Sequence, residues 1–217
     1  VYNELEALRQ RWQRLQALPC DECLFVDGGS SDGSRALLQQ VGATWLSSGK
    51  GRAVQMNHGA AQSKGELLLF LHIDTDITAE ALAAMRHAMG DARVCGGRFD
   101  VRFDDRRWPF RMIATMMNVR SRLTRISTGD QALFVRRQVF ERMGGFPEQP
   151  LMEDIAFCRQ LKCQGRIACL RQRVTTSARR WQQHGVARTI FLMWKLRWCY
   201  WRGVDIHHLA RMYRDAR

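Results

Sequence analysis

Two aspartates one residue apart, Asp74 and Asp76, close the short apolar run Glu66-Leu67-Leu68-Leu69-Phe70-Leu71-His72-Ile73. Side chains alternate along a strand, so positions i and i+2 share a face and the two carboxylates can converge on one cation. Ionised carboxylates this close repel. A bound Mg2+ or Mn2+ removes that cost, and such hard cations take oxygen ligands completed by substrate phosphates. In the plainer alternative, one aspartate caps a helix starting near Thr78 and the other is solvated. The run is too short to cross a bilayer. Bounded by Gly65 and the polar Asp74-Thr75-Asp76, it reads as a buried strand, central in a parallel α/β sheet. Ligands of such sheets bind at the carboxyl ends of the strands, where this pair stands.

Other stretches carry chemistry of their own. Leu24-Phe25-Val26 runs into Asp27-Gly28-Gly29-Ser30-Ser31-Asp32-Gly33-Ser34. Glycines let a backbone turn sharply and approach a ligand, and Ser31 or Asp32 can cap the helix that continues to Val41. The pattern suits a strand-turn-helix anion site or an ordinary βα turn, and it matches neither the dinucleotide nor the P-loop fingerprint. Lys50 and Arg52 stand in a basic loop and could meet phosphate, or solvent. Glu153 and Asp154 open a helix over 153–163, where acids suit the dipole and where a carboxylate at a pocket edge can act as a general base.

The elements that must position these groups alternate strand and helix through most of the chain. An amphipathic helix carries Leu5, Leu8, Trp12 and Leu15, entered from Asn3 as N-cap, and a strand is expected before it. Further strands are expected at 43–46, 98–103 and 132–135 and helices at 53–62 and 79–89. Arg98 to Phe103 alternates as a half-exposed strand, and Gly96-Gly97 before it would let a sugar or phosphate come near. Pro109 opens a Met-rich helix to about Leu123, with Met112, Ile113, Met116 and Met117 expected in the core. From about Val186 a long helix places Phe191, Trp194, Trp198 and Trp201 on one stripe and Arg188, Lys195 and Arg202 on another, the pattern of an interfacial helix or of one packed on protein.

Composition sets limits. The chain has 217 residues, 46% of them hydrophobic, which suits one large compact domain and argues against disorder. Seven cysteines without regular spacing read as reduced thiols of a cytoplasmic protein, and the lone Cys20-x-x-Cys23 pair is not enough for a structural zinc site. Residues 1–156 carry 20 Lys/Arg against 19 Asp/Glu, whereas residues 157–217 carry 14 against 2, out of a net charge of +13. A nearly neutral body is thus followed by a strongly basic tail, suited to an anionic surface. Its aromatics gather in one terminal helix rather than interleaving with cations along a groove, so no nucleic acid is expected.

The ordered set Val1-Tyr2-Asn3-Glu4, Val26-Asp27-Gly28-Gly29-Ser30-Ser31-Asp32-Gly33, Asp74-Thr75-Asp76, Gly129-Asp130-Gln131 and Glu153-Asp154 resembles the family 2 glycosyltransferases. The segments Gly51-Arg52-Ala53, Gln55-Met56-Asn57, Gly144-Gly145-Phe146-Pro147 and Ser177-Ala178-Arg179-Arg180-Trp181 are most similar to a small bacterial branch of stand-alone enzymes. The resemblance implies a three-layer, Rossmann-like GT-A fold with a central, mostly parallel sheet over residues 1–180, its first strand missing. The charge and spacing of the C-terminal region place a basic, Trp-rich amphipathic helical extension over 181–217. Glu4, Asp27 and Gly28 would lie at the base and ribose of a nucleotide-sugar donor, Lys50 and Arg52 near its diphosphate, and Asp74 and Asp76 at a Mn2+ or Mg2+ ion, Asp76 the more direct ligand. Asp154 would deprotonate the acceptor hydroxyl for an inverting displacement. Gly129, Asp130, Gln131, Glu153, Arg180 and Trp181 would line the acceptor or sugar side. A UDP-sugar is the leading donor, a lipid-linked hydroxyl one expected acceptor, and the inner face of the cell membrane an expected peripheral location. The usual second acid of the Asp-Asp-Gly turn is Gly28 here, and Ser177 replaces the Gln of the processive Gln-x-x-Arg-Trp motif.

Two rival readings use the same letters. Asp74-Thr75-Asp76-Ile77-Thr78 also fits the Asp-x-Asp-x-Thr nucleophile motif of haloacid-dehalogenase-type phosphatases, although that motif normally sits on the first strand and has a further acid after a later Gly-Asp. A non-enzymatic basic module for membrane or nucleic acid would explain residues 157–217 and leave the ordered acidic motifs without a task.

Overall fold

A computed structural model describes residues 1–215. Helix α1 (Leu5–Gln16) precedes a parallel pair, β1 (Phe25–Asp27) and β2 (Trp45–Ser47), with α2 (Ser34–Gln40) between them. Helix α3 (Arg52–Gln62) leads into a five-stranded sheet made of β3 (Leu67–Phe70), β4 (Thr75–Asp76), β5 (Val94–Phe103), β6 (Leu133–Arg136) and β7 (Arg166–Thr176). Its spatial order is β3-β6-β5-β7-β4. Helix α4 (Ala79–Met89) precedes β5, α5 (Trp108–Thr124) follows it, and α6 (Arg137–Arg142) and α7 (Glu153–Leu161) follow β6.

The layered α/β expectation holds, with one correction to "mostly parallel". Strands β3, β5 and β7 run the same way, but β6 lies antiparallel between β3 and β5, and β4 is antiparallel to β7. The connection through α5 returns the chain to the end of the sheet at which β5 finishes, so β6 starts there and must run back. The apolar run also stops sooner than expected. Strand β3 ends at Phe70, residues 73–74 form a turn, and the chain rejoins the sheet at its opposite edge as β4. Asp74 therefore sits in the turn and Asp76 on a second, two-residue strand.

Two other expectations change for physical reasons. Strand β5 is buried on both faces as far as Phe99, and only Arg102 on its second face stays exposed. Phe99 and Val101 are in the main core, and Arg98, 1% exposed, is neutralised by Asp100 and donates to the Asn118 carbonyl at 3.1 Å. Arg122 completes the cluster on Asp100 at 2.9 Å, so α5 covers the charged face. The Gly96-Gly97 pair serves strand packing, because a Cβ on Gly96 would come 2.5 Å from the Phe134 carbonyl oxygen and one on Gly97 would overlap the Ala168 carbonyl and the Phe134 ring. On α5 only one side of the Met-rich stretch enters the core. Ile113 is buried, while Met112 and Met116 are exposed, since Phe110, Ile113 and Ala114 already fill the sheet-facing side.

The C-terminal region is three helices, α8 (Arg179–His184), α9 (Val186–Trp201) and α10 (Ile206–Asp215), with the break between α9 and α10 at Gly203 in the left-handed region. Leu196 and Leu209 are fully buried in a small core that they share with Met152 and Ile155 at the start of α7. Among the described residues, no helix is long and apolar enough to cross a membrane.

Candidate active site

The β1 turn is organised by one buried carboxylate. Asp27, with no exposed surface, accepts hydrogen bonds from the backbone N–H groups of Gly29 and Ser30, both at 3.0 Å, from the Ser30 hydroxyl, and from Arg35 Nε at 2.6 Å. Burial works against its charge, but the Ser30 and Arg35 bonds hold its pKa below the usual carboxylate range. A Cβ on Gly28 would meet the Gln55 side chain at 2.9 Å, and that amide in turn donates to the carbonyls of Val1 and Val26. Asn3 is not the cap of α1. Its backbone takes φ 51° and its side chain accepts from the Ser31 N–H at 2.9 Å. Asp32 does the capping instead, accepting from Leu5 N–H at the start of α1 and from Ser34 N–H at the start of α2. Glu4 pairs with Arg179 at 3.0 Å, tying this corner to α8, and Lys50 lies 4.4 Å from the centre of the Tyr2 ring.

A second cluster gathers the start of α3, the exit of β3, a 3-10 turn at Gly129–Gln131 and the start of α7. Asp154 Oδ2 accepts the Gly129 N–H at 3.1 Å and Oδ1 accepts the Ile155 N–H at 2.7 Å. Burial, with Glu153 as a second cause, pushes the Asp154 pKa up to about 6, against the opposing pull of Arg52. Glu153 is 4% exposed and lies 3.6 Å from Arg52 Nη1. Arg52 is the hub. Burial opposes its charge, but Glu153 first, then Tyr213, Asp130 and Asp154, keep it firmly protonated. Asp130 faces His72 Nδ1 at 3.4 Å. Burial works against the carboxylate, but His72, Arg180 and Arg52 hold its pKa at about 2. A Cβ on Gly129 would overlap the His72 ring, so any other residue there would displace His72 from Asp130.

The remaining expected residues fall around this cluster with different tasks. Gln131 is fully buried and donates to Ser121 Oγ at 2.9 Å, while its carbonyl end closes a capping box with Thr128, so its work is to hold the turn that carries Asp130. Trp181 packs on the main core, edge-on to Phe103 at 5.8 Å. Arg180 lines a cleft with His184 and Arg188, beside Tyr213. Asp76 lies 3.5 Å from Arg11 Nε and 4.0 Å from Arg14 Nη1 on α1, whereas Asp74 has no cationic partner within ion-pair distance among the described residues. No three His, Cys, Asp or Glu side chains converge as a complete metal site among the described residues. Asp74 is thus a carboxylate left open to a hard cation that keeps its other positions for water and a substrate diphosphate, while Asp76 is already engaged by two arginines.

Sequence reasoning missed His72 and Arg120. His72 lies two residues before Asp74, the same spacing that singled out the aspartate pair, and this alternation was the available signal. Arg120 has Nη2 buried without a hydrogen-bond partner among the described residues and lies in the field of Asp154, while burial pushes its pKa down. Nothing in its sequence context separates it from its exposed neighbours. Asn57 belongs to the Gln55-Met56-Asn57 segment, and its work is structural. It exchanges two 2.8 Å hydrogen bonds with the backbone of Phe146, locking α3 to the Gly144–Pro147 turn before α7.

Comparison with known proteins fits this geometry. The glycosyl transferase family 2 model matches residues 1–144. No curated protein sequence matches the chain. Among solved structures, the mannosyltransferase PcManGT from Pyrobaculum calidifontis, in complex with GDP-Man and Mn2+, is similar with a TM-score of 0.71 at 18% identity, over 98% of this chain and 67% of that one. TarS from S. aureus, in complex with UDP-GlcNAc, gives 0.64 at 19% identity, over 82% of this chain and 56% of its own. Glucosyl-3-phosphoglycerate synthase from Mycobacterium tuberculosis, in complex with phosphoglyceric acid, gives 0.56 at 14%, over 80% of this chain and 67% of its own. At these identities the likeness is one of fold, and the chain spans little more than half of TarS and two thirds of the other two. The phosphatase and non-enzymatic readings of the sequence are set aside by the family match. The chain belongs to glycosyl transferase family 2 and is a glycosyltransferase of the GT-A fold.

Proposed function

We propose that the chain transfers a sugar from a nucleoside-diphosphate donor, a UDP-sugar as the leading choice, to an acceptor hydroxyl with inversion at the anomeric carbon. The observation that carries this reading is Asp154. It is a carboxylate with a pKa raised to about 6, fixed by two backbone N–H groups and set among Arg52, Glu153 and the Gly129–Asp130 turn. A base with a pKa near the working pH combines availability with driving force. In the reaction the acceptor O–H proton passes to Asp154. The hydroxyl oxygen bonds to the anomeric carbon from the face opposite the diphosphate, and the bond to the diphosphate oxygen breaks. Asp27 shapes the turn that meets the nucleoside, with Glu4 and Gly28 beside it. Lys50 and Arg52 bind the diphosphate and take up its developing charge. Asp130, held by His72, and Glu153 face the sugar and acceptor side, with Arg180 at the cleft beyond, while Gln131 and Trp181 hold that side in place.

Asp74 and Asp76 would hold a divalent cation, Mn2+ or Mg2+, which when bound supplies neutralisation of the leaving diphosphate. Solved structures of the same fold hold GDP-Man with Mn2+ in one case and UDP-GlcNAc in another, which supports a nucleotide-sugar donor and the cation. The aromatic, basic face of α9 supports a lipid-linked acceptor and a peripheral location on the inner face of the membrane. The test is a thermal-shift and donor-turnover panel of UDP-, GDP- and dTDP-sugars with and without Mn2+, using wild type and Asp154→Asn. Metal-dependent binding in both proteins, with turnover in wild type alone, is the expected result. Equal turnover by Asp154→Asn would overturn the assignment of the base.

A further inference from the structure

Nine of the eleven large apolar side chains exposed among the described residues lie on two helices, α5 and α9. On α5 they are Trp108, Met112, Met116, Val119 and Leu123, with Trp108 72% and Leu123 79% exposed. At 100° per residue these five fall within an arc of about 80°, a stripe running the length of the helix. On α9 they are Phe191, Trp194, Trp198 and Trp201, again within about 80°. The opposite sides of both helices are spoken for. Ile113 and Ala114 of α5 enter the main core, and Leu196 of α9 is fully buried against α7 and α10. The exposed stripes are therefore surplus to folding. The two helices are neighbours, since Pro109 and Phe110 at the start of α5 line one cleft with Gly185 and Val186 at the start of α9, and Val186 and Ile190 pack on the core to which α5 contributes.

Charge selects what covers this surface. Neither helix contains a single Asp or Glu. Arg111 borders the α5 stripe, and Arg188, Lys195 and Arg202 border that of α9, with Arg202 stacked over Trp198 at 5.3 Å. A second copy of the chain docked face to face would set cations against cations. An anionic lipid surface would accept Trp and Leu at the level of the acyl boundary and the guanidinium and ammonium groups among the headgroup phosphates.

We infer that α5 and α9 together form one docking surface for an anionic lipid bilayer. This extends the membrane-side reading of α9 given above and rests on it for its purpose. The side of α9 turned from the stripe, through Thr189 and Met193, lines the cleft that holds Arg180, and Arg180 in turn acts on Asp130. The cleft thus lies across α9 from the bilayer, about 10 Å away, within reach of the polar end of a lipid-borne acceptor held at the headgroup level.

The test is vesicle co-sedimentation of the full chain with phosphatidylcholine alone and with a mixture of phosphatidylcholine and phosphatidylglycerol. It is read together with Trp fluorescence and, separately, with a UDP-sugar thermal shift made without vesicles. Wild type should pellet with the anionic vesicles at least about tenfold more strongly than with neutral ones. Met116→Ser/Leu123→Ser on α5 and Trp194→Ser/Trp198→Ser on α9 should each weaken that binding about tenfold. Lys195→Glu/Arg202→Glu should remove the preference for anionic lipid. All these residues are exposed, so an unchanged donor shift shows that the fold and the donor site are intact. Equal pelleting with both vesicles, or none, overturns the inference. So does loss from the α9 pair alone, which leaves α5 no part in the surface, or a concentration-dependent dimer that hides the same tryptophans without vesicle binding. Absence of any donor shift beside normal vesicle binding would instead strike at the proposed sugar transfer.

Discussion

Replacing Asp154 by Asn should cripple transfer and stabilise the protein in the same stroke, and the second effect is the more discriminating. Burial and Glu153 raise the Asp154 pKa from 3.8 to about 6. Because the folded pKa lies above the unfolded one, the protonated form favours the fold below 3.8, and that contribution is lost as the pH rises through about 6. At pH 7.5 the ionised carboxylate therefore costs about 3 kcal/mol relative to a neutral group, falling to about 1.5 at pH 5 and about 0.5 at pH 4. Asn keeps the volume and removes the charge, but its oxygen can serve only one end of the pair of N–H donors from Gly129 and Ile155. That mismatch costs about 1 kcal/mol at every pH. The balance is a gain of about 2 kcal/mol at pH 7.5, or about 4–8 °C in Tm for a domain of this size. The sign should reverse between pH 5 and pH 4. Turnover should fall about 10²- to 10⁴-fold, the usual worth of a positioned base. Thermal denaturation of both proteins from pH 4 to pH 8 reads the effect. A destabilised variant at pH 7.5, or a difference that does not change with pH, would refute the claim that the site strains to keep Asp154 ionised.

Three further changes probe other parts of the site. Arg52→Ala removes a cation that favours the charged form of Asp154, so the acidic limb of the pH profile of kcat/KM should move to higher pH, and Arg52→Lys should restore part of it; an unmoved limb would separate Arg52 from Asp154. Asp76→Asn should eliminate the Mn2+-dependent part of a nucleotide thermal shift while changing the stability of the free protein by less than about 1 kcal/mol, because its pairs with Arg11 and Arg14 are long and partly exposed. Asp32→Ala strips a cap from both α1 and α2 and should cost about 2 kcal/mol at neutral pH in chemical denaturation. The Asp32 pKa is depressed in the fold, burial notwithstanding, by its bonds to Ser34 and Leu5. Its contribution is thus present above 3.8 and lost as the pH falls through the depressed value, so wild type and variant should converge in acid.

What could be read beforehand was whatever repeats or sits at a turn. The alternation of strand and helix, the βα turn at Asp27 and the acids opening α7 are local patterns, and each stands where the sequence put it. What escaped was decided by partners far along the chain. The run through Ile73 looked like one strand ending in two carboxylates, but backbone pairing with Thr175 and Thr176, a hundred residues on, draws Thr75 and Asp76 to the other edge of the sheet. Arg98 and Asp100 read as a solvent face because charged residues usually are one. Their burial depends on Arg122 and Asn118 arriving from α5 to neutralise them, and no spacing within β5 announces that. Met112 and Met116 of α5 erred the other way, whereas Met117 packs on the core as expected. Apolar character predicted burial, yet a helix lying on one sheet can bury only the side facing it, and Phe110, Ile113 and Ala114 had already taken that side. The same limit explains why the exposed stripe carries information. A sequence can afford Trp108 and Leu123 in water only where something other than its own core is to cover them, and the absence of acids along both helices says of what sign that cover is.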